Sequence, residues 1–219
     1  MSKKILIIGG EGHGSVIAAC ITDNRNRFND LEWEVVGFIN DFETTVGSYP
    51  VIGKTTEINR FVVEGYYFIY AIHLIARNIL TFETFNRIGV PTERLATIVH
   101  HSAFVAEDVE LSPGVVVMPN AYIASRSRFG VGTLIKANVC IGHDVVTGPL
   151  CHLAMGSIVN SYCKIGTCSD VAIGATVLAN INIGNFAMAG AASLITHDIP
   201  DNEIHVGAPA IFHKNMSNK

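Results

Sequence analysis

The sequence predicts two unlike parts, an α/β N-terminal Rossmann-like domain over residues 1–95 and an all-β parallel β-helix of hexapeptide repeats over residues 96–219. Three observations lead there. From Val105 an apolar residue returns at every sixth position, through Leu111, Val117, Ile123, Phe129, Ile135 and Ile141 to Ile195, with only Thr147 and Ala189 outside the Val, Ile, Leu, Phe series. Before residue 95 that period is absent, and an apolar strand runs instead into the glycine-rich turn Gly9-Gly10-Glu11-Gly12-His13-Gly14. The third observation is composition. Only 16% of the residues are charged and 49% are hydrophobic, with a mean hydropathy of +0.36, against a usual charged share near ~25%. So apolar a chain must hide its surplus in a core, a membrane or a subunit interface.

The N-terminal elements follow in order. Lys3–Ile8 is the first strand, and Ser15–Thr22 after the glycine turn reads as a helix. Glu34–Ile39 is a second strand ending at Asn40-Asp41, Tyr66–Ile72 a third, buried one, and Ile75–Ile88 an amphipathic helix that Val90-Pro91-Thr92 terminates. Strand, glycine turn, helix, strand is how a Rossmann-like unit begins. The turn does not match G-x-G-x-x-G in any register; counted from Gly10, the last glycine position holds Ser15. That argues against a dinucleotide. Free amides at a helix N-terminus still suit a phosphate, and Asn40 and Asp41 stand where they could accept hydrogen bonds from a ribose or base. The alternative is a glycine turn that serves only close strand–helix packing.

In the second part, a second column lies four residues after the first: Val109, Val115, Ala121, Ser127, Thr133 and Val139, continuing to Ser193, every member small or β-branched. Each unit then makes one short strand and one turn, and three units close a triangular coil of about eighteen residues. The first column fills the prism; the second packs near its corners. Glycines that follow the first column (Gly130, Gly142, Gly148, Gly166, Gly184, Gly190) suit a tight corner. A helix is excluded because six is not a multiple of 3.6.

Several function classes fall away. With 15 Lys+Arg against 19 Asp+Glu and a net charge of −4, no basic surface is available for nucleic acid. Val171–His197 carries no charge and exceeds the roughly 20 residues that span a bilayer, but Asn180, Asn182, Asn185 and the sixfold register make it prism wall, not membrane helix. The N-terminal apolar run is too short for a signal peptide. Five cysteines (Cys20, Cys140, Cys151, Cys163, Cys168) without a Cys-x-x-Cys pair fit a reduced, cytoplasmic chain. Among the nine histidines, His143 follows Gly142 at a repeat corner and precedes Asp144, and His152 comes nine residues later. Both are read as outward-facing and dispensable to the core. His100 and His101 at the junction read as structural, and His197 and His205 carry no assignment. His143 and His152 make no compelling metal set, so no metal is expected.

The sixfold columns, the turn Ile141-Gly142-His143-Asp144, His152 and the ending Val206-Gly207-Ala208-Pro209-Ala210 resemble the left-handed β-helix acyltransferases. With Gly-Gly-Glu-Gly-His-Gly and Asn40-Asp41 added, almost the whole chain resembles the bacterial nucleotide-sugar N-acetyltransferases of the bacillosamine and perosamine pathways, related to sialic-acid O-acetyltransferases. The resemblance implies a left-handed helix, acetyl-CoA as co-substrate, a homotrimer with sites between subunits, and a part in polysaccharide biosynthesis. By position it implies His143 as catalytic base, Asp144 as its acidic partner and His152 as a substrate-side histidine that also borders the cofactor. Acetyl-CoA would lie along Ser161, Ile173, Gly174 and Ala191, and the nucleotide sugar on Gly9, Gly10, Gly12, His13, Gly14, Asn40 and Asp41. Ser161 stands where a glycine is common and Asn40 where a second acid is common. The expected reaction is acetylation of the 4-amino group of a nucleotide-linked (first choice UDP) 4-amino-4,6-dideoxy sugar. A sugar O-acetyltransferase and a non-catalytic sugar-nucleotide-binding protein are the rivals; a γ-class carbonic anhydrase is disfavoured by the histidine spacing.

Overall fold

A computed structural model describes residues 2–216. The N-terminal sheet contains β1 (Lys3–Ile8), β2 (Trp33–Ile39), β3 (Thr45–Val46), β4 (Tyr49–Gly53) and β5 (Tyr67–Tyr70) in the order β3-β4-β2-β1-β5. It is parallel except for the β3–β4 hairpin. Ile5, Leu6, Ile7 and Ile8 of β1 are all fully buried, as a central strand covered on both faces requires. Three helices connect the strands: α1 (His13–Phe28), α2 (Ile58–Val63) and α3 (Asn78–Ile88).

Several elements depart from the sequence expectations. Helix α1 starts at His13 and runs to Phe28, well beyond Ser15–Thr22, stopping where Asn29 turns left-handed (φ 55). Helix α3 starts at Asn78 and not at Ile75, because Ala76 is left-handed (φ 57) and interrupts the spiral. The hairpin and α2 were not anticipated; Gly47 (φ 56) makes the hairpin's turn.

From Ile98 the chain winds as a left-handed β-helix of two-residue strands stacked every eighteen residues, as in Tyr122 on Cys140 and Cys140 on Ile158. The first coil begins at Ile98–Val99, one repeat before Val105, pairing with Val116–Val117. Both sequence columns turn inward and form one core, with Val117, Ile123, Ile141, Val159 and Val177 beside Val115, Val139, Cys163 and Ala175. At most corners a left-handed residue stands third after the strand: Asn120, Arg126, Asn138, Asp144, Leu150 and Tyr162 all have φ near +60. The glycines just after the strands therefore do another job than the one expected. A Cβ on Gly142 would lie 2.6 Å from the Ser161 backbone nitrogen of the next coil. They supply room between coils, not a special dihedral.

The prism's three faces differ in what covers them. One, the docked face, carries Ile98, Val116 and Leu134 into a shared core with Ile5, Ile17 and Phe38 of the α/β part. Two buried asparagines stitch that contact: Asn24 Nδ2 donates to the Val99 carbonyl (2.9 Å) and Asn78 Nδ2 to that of Ala187 (3.3 Å). The charged face presents Glu110, Arg128 and Lys164. The third, apolar face presents Phe104, Tyr122 and Ile158, all exposed, with the Phe104 and Tyr122 rings stacked at 5.0 Å. Among the described residues no helix is long and apolar enough to cross a membrane. The uncharged Val171–His197 is prism wall, as expected.

Candidate active site

His143 and Asp144 form the turn between the apolar and charged faces. Neighbouring side chains on a straight strand diverge; here the left-handed backbone of Asp144 (φ 59) folds them together. The sequence reading assigned that bend to Gly142. His143 Nδ1 donates to Asp144 Oδ2 at 2.6 Å. Arg126, one coil earlier, grips the same carboxylate with two bonds, Nε to Oδ1 (2.9 Å) and Nη2 to Oδ2 (2.7 Å). The Arg126 bonds, and after them the His143 bond, hold the Asp144 carboxyl down at about 2. Asp144 is thus an anion at any ordinary pH, and the proton on Nδ1 leaves the Nε2 lone pair of a neutral ring free to accept. The Tyr162 ring stands edge-on to His143 at 4.9 Å, and the His143 side chain is 42% exposed.

His152 departs from its expected setting. It is a strand residue on the docked face, 4% exposed, and not a corner residue facing solvent. It points out of the prism, but the α/β part lies over it. Its ring meets those of His13 (5.1 Å) and His73 (5.5 Å), and His13 and His73 are 5.8 Å apart. His13 is pushed down to about 4, by burial first and then by His152 and Lys136, and His73 is driven well below the usual imidazole range by burial. The His13 and His73 rings are thus held neutral. No group of three or more His, Cys, Asp or Glu among the described residues could hold a metal ion. Asp170, stacked one coil beyond His152, sits with Oδ1 3.5 Å from His152 Nδ1. Among the described residues both His152 nitrogens and Asp170 Oδ2 are buried without a hydrogen-bond partner, whereas buried polar atoms ordinarily have one. Beside them opens a cleft of about 270 Å³ lined by Ile75, His152, Asp170, Ile173, Met188 and Ala191.

The remaining expected residues lie in separate groups. Ile173, Gly174 and Ala191 lie on the corner between the docked and apolar faces, beside the cleft, whereas Ser161 lies on the His143 corner. The apolar face therefore separates the two groups within one chain. In the glycine turn, Gly12 (φ 82) caps α1 without a side-chain bond, and a Cβ on Gly14 would come within 2.8 Å of the Phe38 ring. Asn40 and Asp41 border the same turn, but their oxygens are engaged: Asn40 Oδ1 accepts from the Phe42 and Glu43 amides and Asp41 from the Thr55 amide and hydroxyl. Asn40 Nδ2 also donates to the Gly9 carbonyl. His100 is buried between Asp23 and Ser102, and His101 bonds Asp30. All five cysteines are free.

Sequence reasoning missed His73, Lys136 and Asp170. A signal existed for each. His73 follows the C-terminal end of a parallel strand, where open α/β sheets hold ligands. Asp170 and His152 share one outward register with the apolar Ile98, Val116, Leu134 and Met188, so two polar residues interrupt an otherwise greasy row. Lys136 opens the turn after Leu134–Ile135.

Residues 4–73 match the family described as PglD N-terminal domain. Over its full length the chain is similar to perosamine N-acetyltransferase from Caulobacter crescentus, solved in complex with CoA and GDP-perosamine. The identity is 25%, 98% of each chain is covered and the TM-score is 0.83. It is equally similar to the acetyltransferase domain of PglB from Neisseria gonorrhoeae FA1090, at 25% identity over 97% of this chain and 100% of that one, with a TM-score of 0.83. That domain has also been solved with acetyl coenzyme A. WeeI from Acinetobacter baumannii AYE shares the fold at 21% identity, covering 97% of this chain and 100% of that chain, with a TM-score of 0.78.

Proposed function

From the premise that this chain is an acyltransferase of the hexapeptide-repeat class, we propose that it is a cytoplasmic enzyme transferring acetyl from acetyl-CoA to the 4-amino group of a nucleotide-linked 4-amino-4,6-dideoxy sugar. The supporting observation is the corner pair, a partly exposed imidazole whose Nδ1 proton is held by a carboxylate that Arg126 keeps ionised. An acceptor amine attacks the thioester carbonyl, His143 Nε2 takes its proton, and the C–S bond breaks to release CoA, protonated at sulfur. The thioester is already activated, so no covalent enzyme intermediate is required, and a positioned base is worth roughly 10²–10⁴-fold in rate.

Residues 1–95 would hold the nucleotide sugar, with the Gly9–Gly14 turn offering amides to phosphate and Asn40 and Asp41 shaping the neighbouring loop. Residues 96–219 would hold acetyl-CoA along the cleft at His152, Ile173, Gly174 and Ala191, with Ser161 contributed from the other corner. The separation of those corners supports a homotrimer. A second copy laid on the apolar face would bring one chain's His143 corner toward its neighbour's cleft, and a threefold axis would repeat that contact in a closed ring. The exposed Phe104, Tyr122 and Ile158 give such a contact its apolar centre.

The test is an acceptor screen with acetyl-CoA and thiol detection, offering UDP-, GDP- and dTDP-linked 4-amino sugars and their 4-hydroxy counterparts. Selective CoA release with an amino acceptor is expected, UDP first. GDP belongs in the screen because the Caulobacter relative was solved with GDP-perosamine. Release with hydroxy acceptors alone replaces the N-acetyl reading by O-acetyl transfer, and binding without release by any acceptor leaves a sugar-nucleotide-binding protein.

A further inference from the structure

At the domain junction lies a lysine with no counter-charge. Lys136 is 7% exposed, and among the described residues its Nζ donates only to His13 Nδ1, at 3.4 Å. Among the described residues it makes no ion pair. Burial lowers its proton affinity, yet the site that disfavours its charge offers a neutral ring and no acid. A buried ammonium left this way costs stability and needs a separate reason to persist.

The surroundings show what it could serve. His13 is the first residue of α1, a helix of sixteen residues with no side-chain cap and no acid in its first turn. The earliest helical bond is Val16 N–H to the Gly12 carbonyl, so the amides before it are unclaimed and carry the positive end of the helix dipole. Next to them, His73 Nε2 and both nitrogens of His152 are buried without partners among the described residues. Ammonium, helix N-terminus and orphaned imidazoles converge, and the Asp170 carboxylate stands against His152.

We propose that Lys136 is a specificity residue that grips an anionic oxygen of the acceptor against the N-terminus of α1, the oxygen belonging to the nucleotide's phosphates or to a carboxylate on the sugar. This rests on the nucleotide-sugar reading above and adds a residue from the prism to a site otherwise built by the α/β part.

The experiment is calorimetric titration of full-length wild type and Lys136→Met with UDP, GDP, dTDP, UDP-glucose and UDP-glucuronate, with thermal melts of both proteins free of ligand. If the oxygen is a phosphate's, Lys136→Met binds the preferred nucleoside diphosphate at least tenfold more weakly. If it is a sugar carboxylate's, diphosphate binding is unchanged, and a wild-type preference of at least tenfold for UDP-glucuronate over UDP-glucose disappears. In either case the ligand-free variant melts at or above the wild-type temperature, because a neutral thioether replaces an uncompensated charge. Lys136→Gln serves should the methionine variant fail to fold. A folded variant that binds every probe within twofold of wild type overturns the role of Lys136 and leaves the transferase reading standing. A wild type that binds none of the probes removes the nucleotide-sugar reading and the proposal with it.

Discussion

The corner and the junction each gather histidine on the same prism, and they treat it in opposite ways. At the corner, His143 is open to solvent and backed by an ionised Asp144 that Arg126 holds. At the junction, His73 and His152 are buried and His13 half-buried, with burial the largest cause of the low values of His13 and His73. An imidazole that is to take up a proton needs a negative partner and room for the proton donor. One that is to contact a ligand as a neutral donor or acceptor is kept neutral by desolvation and by other cations. The fold supplies both from one repeat, because a corner points into solvent while a strand face can be roofed over.

The comparison breaks most decisively at His143. His143→Ala is expected to lower kcat at least a hundredfold while acetyl-CoA binding, read by calorimetry, stays within a few fold; near-normal turnover would remove His143 as the base. Next comes the coil spacing that holds the corner. Gly142→Ala drives a methyl toward the Ser161 nitrogen at 2.6 Å and should cost about 1–3 kcal/mol of stability, visible as a lower Tm and a lower kcat together. An unchanged Tm would show that the coils can separate freely.

Acid should separate the two regions. His13 has its folded-state value lowered to about 4 from the ordinary 6.5, so between those limits the unfolded chain takes up protons that the folded junction refuses. Stability is therefore lost as pH falls from about 6.5 toward 4, and the loss should be shallower in His73→Phe, which removes one buried ring from the cluster. Asp144, lowered from 3.8 to about 2, contributes its loss only below that window. Urea titrations at pH 7, 5.5 and 4 check this; a flat profile down to pH 4 contradicts the junction assignment. The smallest expected effect is at Arg126. Arg126→Met leaves the His143–Asp144 bond in place but removes the larger cause of the carboxyl's low value, and a few-fold loss of kcat is expected with KM for acetyl-CoA unchanged. A loss as deep as that of His143→Ala would place Arg126 itself against substrate.

Much of this molecule was legible in one dimension. The sixfold period placed Val117, Ile141 and Val159 inside the prism and His143 and Asp144 at a turn, because each coil repeats a local conformation and each core position is filled by residues at a constant offset. His152 was legible as facing out of the prism, and the error lay in equating outward with exposed. Nothing local to residue 152 says that His13 and His73 will lie over it. The glycines were likewise visible, but their task depends on the coil above and not on their own dihedrals.

By itself, then, the sequence determined the three-sided prism, the inward and outward columns and the pairing of an acid with His143, all consequences of short-range backbone geometry repeated in register, while its left hand came from the family resemblance. Tertiary structure alone decided which outward face is covered. The Rossmann-like part could meet His152, Lys136 and Asp170 only by docking on one of three faces, through contacts such as Asn24 with Val99 and Asn78 with Ala187. Those partners are separated by 75 and 109 positions in the chain, beyond the reach of any local pattern, and they create both the buried histidine cluster and the uncompensated lysine.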